Sequence, residues 1–236
     1  MISIRCGIAL VAAGMLAAAQ PARASEQLYT YAVQHPVYGR IGNLVYDIET
    51  AAGARRITSQ LRVAISIMGV TVYRYETDGI EVWQGSRLMT LQSKINKNGN
   101  RIDLRGEAHG GQFIVTSNAG TVATSPDVAP PDPWLVTSVG DSNVISTSTG
   151  QVLRVQVSGG ESVTIPIHGA KIATRHFSIS DDKHHEVWLD GHDIPIMFRS
   201  IELGDPVDFV LEMPEASGSQ TAIPVAQKPA PDRSDR

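Results

Sequence analysis

Strict alternation of apolar and polar side chains, the pattern of a half-buried strand, recurs along most of this chain. Leu153, Val155 and Val157 alternate with Arg154, Gln156 and Ser158, and Val163, Ile165 and Ile167 alternate with Thr164 and Pro166. Upstream, residues 28–37, 41–49, 56–67 and 70–77 are rich in β-branched and aromatic side chains and are punctuated by Gly39, Gly53 and Gly69. Further runs lie at 170–180, 184–189, 194–201 and 207–213. The pattern predicts about a dozen strands and no amphipathic helix of useful length.

Turn chemistry sets the expected registers. Asn98-Gly99 suits a two-residue type I′ loop, because both residues tolerate a positive φ. Counting outward, Lys97 faces Asn100, Ile95 faces Ile102, Lys94 faces Asp103 and Gln92 faces Arg105, so side-chain chemistry agrees with the turn. Gly110-Gly111 acts alike, setting Ala108 against Phe113 and Gly106 against Val115. At Gly159-Gly160 a two-residue loop would mix the faces, so a three-residue loop through Glu161 is expected, pairing Val157 with Val163 and Val155 with Ile165. Asp190-Gly191 is read as a two-residue loop with Leu189 opposite His192. One helical turn follows the Pro-rich stretch 126–133, with Asp132 as N-cap, Pro133 at the first helical position, and Trp134 and Leu135 pointing inward. The expected fold is mostly β: a single large antiparallel, strongly curved sheet, half-barrel or open barrel, with at most one short helix in the mature chain.

The ends of the chain read differently. Residues 1–24 carry Arg5, an apolar run from Ile8 to Ala19 and the small-x-small site Ala22-Arg23-Ala24, which together predict a cleaved secretory signal peptide and a periplasmic location. The run is shorter than the roughly 20 apolar residues a membrane span needs, so no transmembrane segment is expected after cleavage. Residues 214–236 turn to Pro, Ser, Gln, Lys and Asp, as a disordered tail would, leaving 25–213 as the β domain.

Composition narrows the function classes. The 236 residues hold 42% hydrophobic and 19% charged side chains, the balance of a folded domain. With 20 Lys+Arg against 24 Asp+Glu there is no basic excess to neutralise phosphates, so a nucleic-acid partner is not expected. The lone Cys6 falls within the signal segment and cannot form an intrachain disulfide.

Candidate chemistry is sparse. His176, His184, His185 and His192 cluster in sequence, but a Zn site needs ligands about 2.0 Å from one ion. In the expected hairpin His185 and His192 share a face about 13 Å apart, at roughly 3.3 Å per residue, and His184 points the other way. No metal and no cofactor is expected. Ser180-Asp181-Asp182-Lys183 matches a Ser-x-x-Lys pattern, which works only on a helix and here reads as a polar turn. No nucleophile elbow, phosphate loop or dinucleotide fingerprint occurs, and no catalytic residue is assigned. Trp83 and Trp188 have the large apolar body and polar N–H of a ligand-cleft residue, and with Tyr73, Tyr75 and His176 they form the candidate ligand-binding set. Trp134, on the helical turn, is read as core or plug.

The run Tyr73-x-Tyr75, Glu81-x-Trp83, Gly85, Arg87-Leu88 and Asn98-Gly99, followed by Trp134, Thr149-Gly150, His176-Phe177, Trp188-x-Asp190 and Phe209-Val210-Leu211, resembles an exported bacterial family known as domain of unknown function 6134. Two positions depart from its pattern: Ser146 stands where the family has an aspartate, and Pro133 where it has an aromatic. The resemblance implies an exported β-rich domain, distantly similar to the half-barrels of periplasmic lipoprotein carriers, and no activity. The expected function is a non-enzymatic binding or carrier module for an apolar, acyl-chain-like molecule or lipid. An envelope hydrolase with a spatially assembled site and a structural or interaction protein without a small ligand are the alternatives. A cavity apolar throughout favours the carrier, and a His or acid pair at its floor favours catalysis.

Overall fold

The computed structural model describes residues 25–137, 139–180, 185–202 and 204–212. The expected signal peptide (1–24), the tail (214–236) and residues 181–184, with His184 and most of the Ser-x-x-Lys pattern, lie outside the described residues.

Among the described residues, fifteen strands run in chain order: β1 (Ser25–His35), β2 (Gly39–Ala51), β3 (Ala54–Ile67), β4 (Val70–Gln84), β5 (Arg87–Lys97), β6 (Asn100–His109), β7 (Gln112–Ser117), β8 (Gly120–Thr124), β9 (Val128–Ala129), β10 (Gly140–Ile145), β11 (Val152–Ile167), β12 (Ala170–Ser180), β13 (His185–Leu189), β14 (Pro195–Glu202) and β15 (Asp205–Leu211). All belong to one sheet, in the order β8 to β1, then β15 down to β9. Each strand pairs with its chain neighbour, except that β1 pairs with β15, and β8 does not pair with β9. Only residues 125–127 separate β8 from β9, so the two free edges lie side by side and the sheet curls into a barrel with one seam. Every pairing is antiparallel apart from β9 with β10.

One face of the sheet forms the interior. Tyr31, Leu91, Leu104 and Phe113 are almost fully buried there, and Phe198 stacks on Phe209 with ring centroids 4.5 Å apart. The 3-10 turn Pro133–Thr137 enters this interior as a plug: Val136 is fully buried, and the Trp134 ring meets Tyr46 edge-on at 5.1 Å and Tyr29 at 5.8 Å. Asp132 caps the turn by accepting the Trp134 N–H at 2.9 Å.

The Asn98-Gly99 and Gly110-Gly111 hairpins pair as their turns predict, Lys94 with Asp103 and Ala108 with Phe113 included. Two other turns correct the sequence reading. Gly159-Gly160 is a bulge inside the continuous strand β11, not a reversal: Val157 pairs with Ile179, and Val163 with Thr174. Both glycines have φ above 100°, and a Cβ on Gly159 would sit 2.5 Å from the His176 carbonyl oxygen. The bulge bends the β11–β12 hairpin so that its tip reaches β15, where His168 Nε2 is hydrogen-bonded to the Leu211 carbonyl at 2.9 Å. Ile167 is buried in the main apolar cluster, with Ile165 and Ile172 packed against that cluster, so the hairpin tip folds toward β15 as a flap. Second, Leu189 pairs with Pro195 rather than His192. Asp190 Oδ1 accepts the N–H groups of His192 and Ile194, and this Asx-type loop is longer than two residues.

Candidate functional site

Alternation decides what β4 offers the interior: Tyr75, Thr77, Gly79 and Glu81 line a cavity of about 510 Å³ inside the barrel. Leu44, Leu61, Val155, Val187, Phe198 and Phe209 supply much of its apolar wall, and Pro130 to Pro133 of the plug close one side. The volume falls in the range of small-molecule sites, and an apolar wall with a few convergent polar groups is their usual composition.

The polar groups are concentrated. Glu81 is only 7% exposed and accepts a hydrogen bond from Trp83 Nε1 at 2.9 Å. Burial, then the charge of Asp132, push the Glu81 carboxyl well above the carboxylate range, against the opposing effects of the Trp83 bond and Arg55. Asp132 is raised mainly by burial and held back by the Trp134 N–H and by Arg55. Both carboxyls are thus pressed toward their neutral forms, Glu81 by burial and by the charge of Asp132, and in its neutral form Glu81 can donate as well as accept a hydrogen bond. The Arg55 guanidinium lies over the Trp83 ring at 5.4 Å. Ser93 Oγ and Thr77 Oγ1 are buried hydroxyl oxygens without a hydrogen-bond partner, and both residues line the cavity. His185 also lines it.

The five sequence candidates fall into two groups. Tyr75 lines the cavity; Tyr73 and Trp83 lie on the same face of β4 and belong to the same core. Trp188 and His176 occupy the opposite, outer face, with their rings stacked 4.7 Å apart. His176 there bridges Glu161 and Glu186, at 2.9 and 3.2 Å, and Arg199 extends the row to Asp208. Trp188 is nonetheless buried, with His176 stacked on its ring and the Arg199 guanidinium 5.8 Å from the ring centroid. Among the described residues no group of His, Cys, Asp and Glu could hold a metal ion.

The sequence reading did not pick out Glu81, Arg55 and the acid role of Asp132. One signal was available for Glu81: it sits at an interior-facing position, in step with Tyr75 and Trp83.

The family model described as Domain of unknown function (DUF6134) matches residues 39–211. The chain belongs to this family. No match was found among curated proteins. The DUF6134 chain is also similar to a crystal structure of a beta-barrel-like protein of domain of unknown function DUF1849 from Brucella abortus, with TM-score 0.59 and 8% identity over 83% of this chain and 98% of that one. At that identity the likeness is one of fold: a DUF6134 barrel and a DUF1849 barrel share an architecture. No helix of the DUF6134 chain, among the described residues, is long and apolar enough to cross a membrane.

Proposed function

We propose that this protein is an exported, periplasmic binding or carrier module that takes an acyl-chain-like molecule into the barrel. The observation that carries the reading is the 510 Å³ cavity, walled by Leu, Val and Phe side chains and supplied at one place with Glu81, Ser93 and Thr77. The apolar wall takes the chain, at roughly 25 cal/mol per Å² of apolar surface removed from water. The unpartnered hydroxyls and Glu81, pressed toward its neutral form, take one polar end. With Asp132 beside Glu81, that end is a neutral hydroxyl or ester rather than a carboxylate, which the capping charge would repel.

The acid pair also favours a second reading, an envelope hydrolase with Glu81 as proton donor. Two bonds weigh against it: the Glu81 carboxyl is engaged by Trp83 Nε1, and Asp132 is engaged in capping the plug. A single preparation separates the two. Delipidated protein is titrated at pH 7 with a fluorescent monoacylglycerol analogue and with the matching fatty acid, and the probe is recovered afterwards. Saturable binding of the monoacylglycerol, tighter than of the fatty acid and with the probe recovered intact, is expected. Turnover of the ester that Glu81→Gln abolishes would transfer the assignment to the hydrolase, and absence of binding below about millimolar would remove the carrier reading.

A further inference from the structure

The largest unexplained apolar exposure lies at one end of the barrel. The last partner of β3 in β2 is Val63, facing Gly42, and the last partner of β4 in β5 is Tyr75, facing Lys97. Residues 64–74 therefore pair as strands only with each other, as a two-stranded ribbon. It runs about 16 Å past its last pairing with β2, at roughly 3.3 Å per residue from Val63 to Met68. Its tip, Ile67-Met68-Gly69-Val70, is apolar, and Met68 is 100% exposed; Ile67, Val70 and Val72 are exposed as well. In the antiparallel meander the β1–β2 turn projects from the same end, and it exposes Val37 and Tyr38. An isolated ribbon of this kind gains little from its own packing.

The turn itself breaks a local rule. Met68 and Gly69 have φ of 51° and 80°, the left-handed geometry of a two-residue hairpin loop. Asn98-Gly99 has the same geometry with the residue that suits it, and Asn98 Oδ1 there accepts the Arg74 N–H at 2.7 Å. Methionine gains nothing comparable at position 68, since its side chain touches only solvent. A bulky apolar residue in strained backbone at a protruding, solvated tip marks a site that acts on something outside the chain.

Charge identifies the partner. Residues 35–40, 63–74 and 97–101, the β1–β2, β3–β4 and β5–β6 tips at this end, contain Arg40, Arg74, Lys97 and Arg101 and no acidic residue, in a chain that is acidic as a whole; the acidic Asp205 at this end lies on the far side of β1 from the ribbon, 3.6 Å from His35. Arg40 and Arg74 have carboxylate partners in Glu212 and Glu76, whereas Lys97 and Arg101 are in no ion pair among the described residues. An apolar tip with an amphipathic tyrosine, flanked by uncompensated cations, has the chemistry of a segment that dips into an anionic lipid surface. We propose that the β3–β4 ribbon, assisted by the β1–β2 turn, docks the protein on a bilayer containing anionic lipid, with Met68 as the inserting side chain. This goes beyond the carrier reading and stands or falls separately from it.

The test is flotation of the purified protein with vesicles of phosphatidylethanolamine and phosphatidylglycerol. The wild type is expected to float with them, and less so at high salt. Met68→Asp and Val70→Asp should each lower the bound fraction roughly tenfold, the scale of one lost apolar insertion. Met68→Asn should lower it similarly while raising the melting temperature, because asparagine tolerates the turn. Lys97→Glu with Arg101→Glu should weaken binding and flatten its salt dependence. Monoacylglycerol binding in the barrel should be unchanged in Met68→Asp. The proposal is overturned if the wild type stays unbound, or if Met68→Asp floats as well as the wild type. It is overturned equally if sedimentation without vesicles shows a dimer that Met68→Asp dissociates, since the tip would then serve a second copy of this chain.

Discussion

The tripeptide Glu-Val-Trp occurs twice, at Glu81-Val82-Trp83 on β4 and at Glu186-Val187-Trp188 on β13, and the barrel turns the two copies opposite ways. In the first, Glu81 and Trp83 face inward and bond to each other, with Arg55 over the indole. In the second, Val187 faces inward, while Glu186 and Trp188 face outward with His176 and Arg199 as neighbours. Both tryptophans are 8% exposed, so burial alone does not distinguish them. Trp83 is buried in the main apolar cluster, Trp188 against its ring neighbours His176 and Arg199. The first glutamate is pressed toward its neutral form, while the second keeps a histidine and an arginine for partners. The pair teaches that alternation says which residues share a face, and that the strands on either side say which face it is.

The contrast would break most visibly at the bulge that shapes the flap. Gly159→Val places a Cβ into the His176 carbonyl at a φ of 107° and should cost about 3 kcal/mol or more. The bulge lies opposite His176, whose ring stacks on Trp188, so Trp188 emission should shift to the red before the barrel unfolds, with Trp83 unaffected. A denaturation profile followed through Trp188 and Trp83 in single-tryptophan backgrounds checks this.

Next in size is Glu81. Its folded pKa is raised to about 8, so folding favours the protonated acid. The stabilisation is complete below the unfolded pKa near 4.5 and is lost as pH rises through about 8. Melting temperature should therefore fall between pH 5 and pH 8, and Glu81→Gln, which keeps the acceptor for Trp83, should remove most of that slope. The gain at pH 8 should be on the order of 3 kcal/mol. Glu186→Gln, at a partly exposed ion pair, should change stability by under about 1 kcal/mol.

Smaller still is the comparison of the tryptophans themselves. Trp83→Phe loses the donor to a buried carboxyl and should cost about 2 kcal/mol; Trp188→Phe, which keeps an aromatic ring against His176, should cost about 1 kcal/mol. Equal costs would mean that the Trp83–Glu81 bond adds nothing. The least effect is expected where register, not burial, was at issue: breaking the exposed Lys94–Asp103 pairing should cost roughly 0.2 to 1 kcal/mol by double-mutant cycle.

How much of this was legible follows from where the information lies. The β5–β7 registers could be read because Asn98-Gly99, Gly110-Gly111 and the facing pairs are all local. The capped turn at Asp132 could be read for the same reason. Gly159-Gly160 misled because a bulge and a reversal use the same residues, and the choice was made by Phe177 and His176 on a strand the local pattern does not name. Closure through β1 and β15 joins residues almost a chain length apart, and the split of Trp83 from Trp188 depends on it. Glu81 was visible as a charge in step with interior positions, but its partner Asp132 arrives from the plug.

The central claim is that the interior, on the Trp83 side of the sheet, is the ligand site. Its most direct test is tryptophan emission during titration of delipidated protein with a monoacylglycerol. A saturable change should persist in Trp188→Phe and disappear in the Trp83→Phe, Trp134→Phe double variant, whose remaining indole is on the outer face. A change that survives in the double variant and is lost in Trp188→Phe would place the ligand outside the barrel and contradict the account.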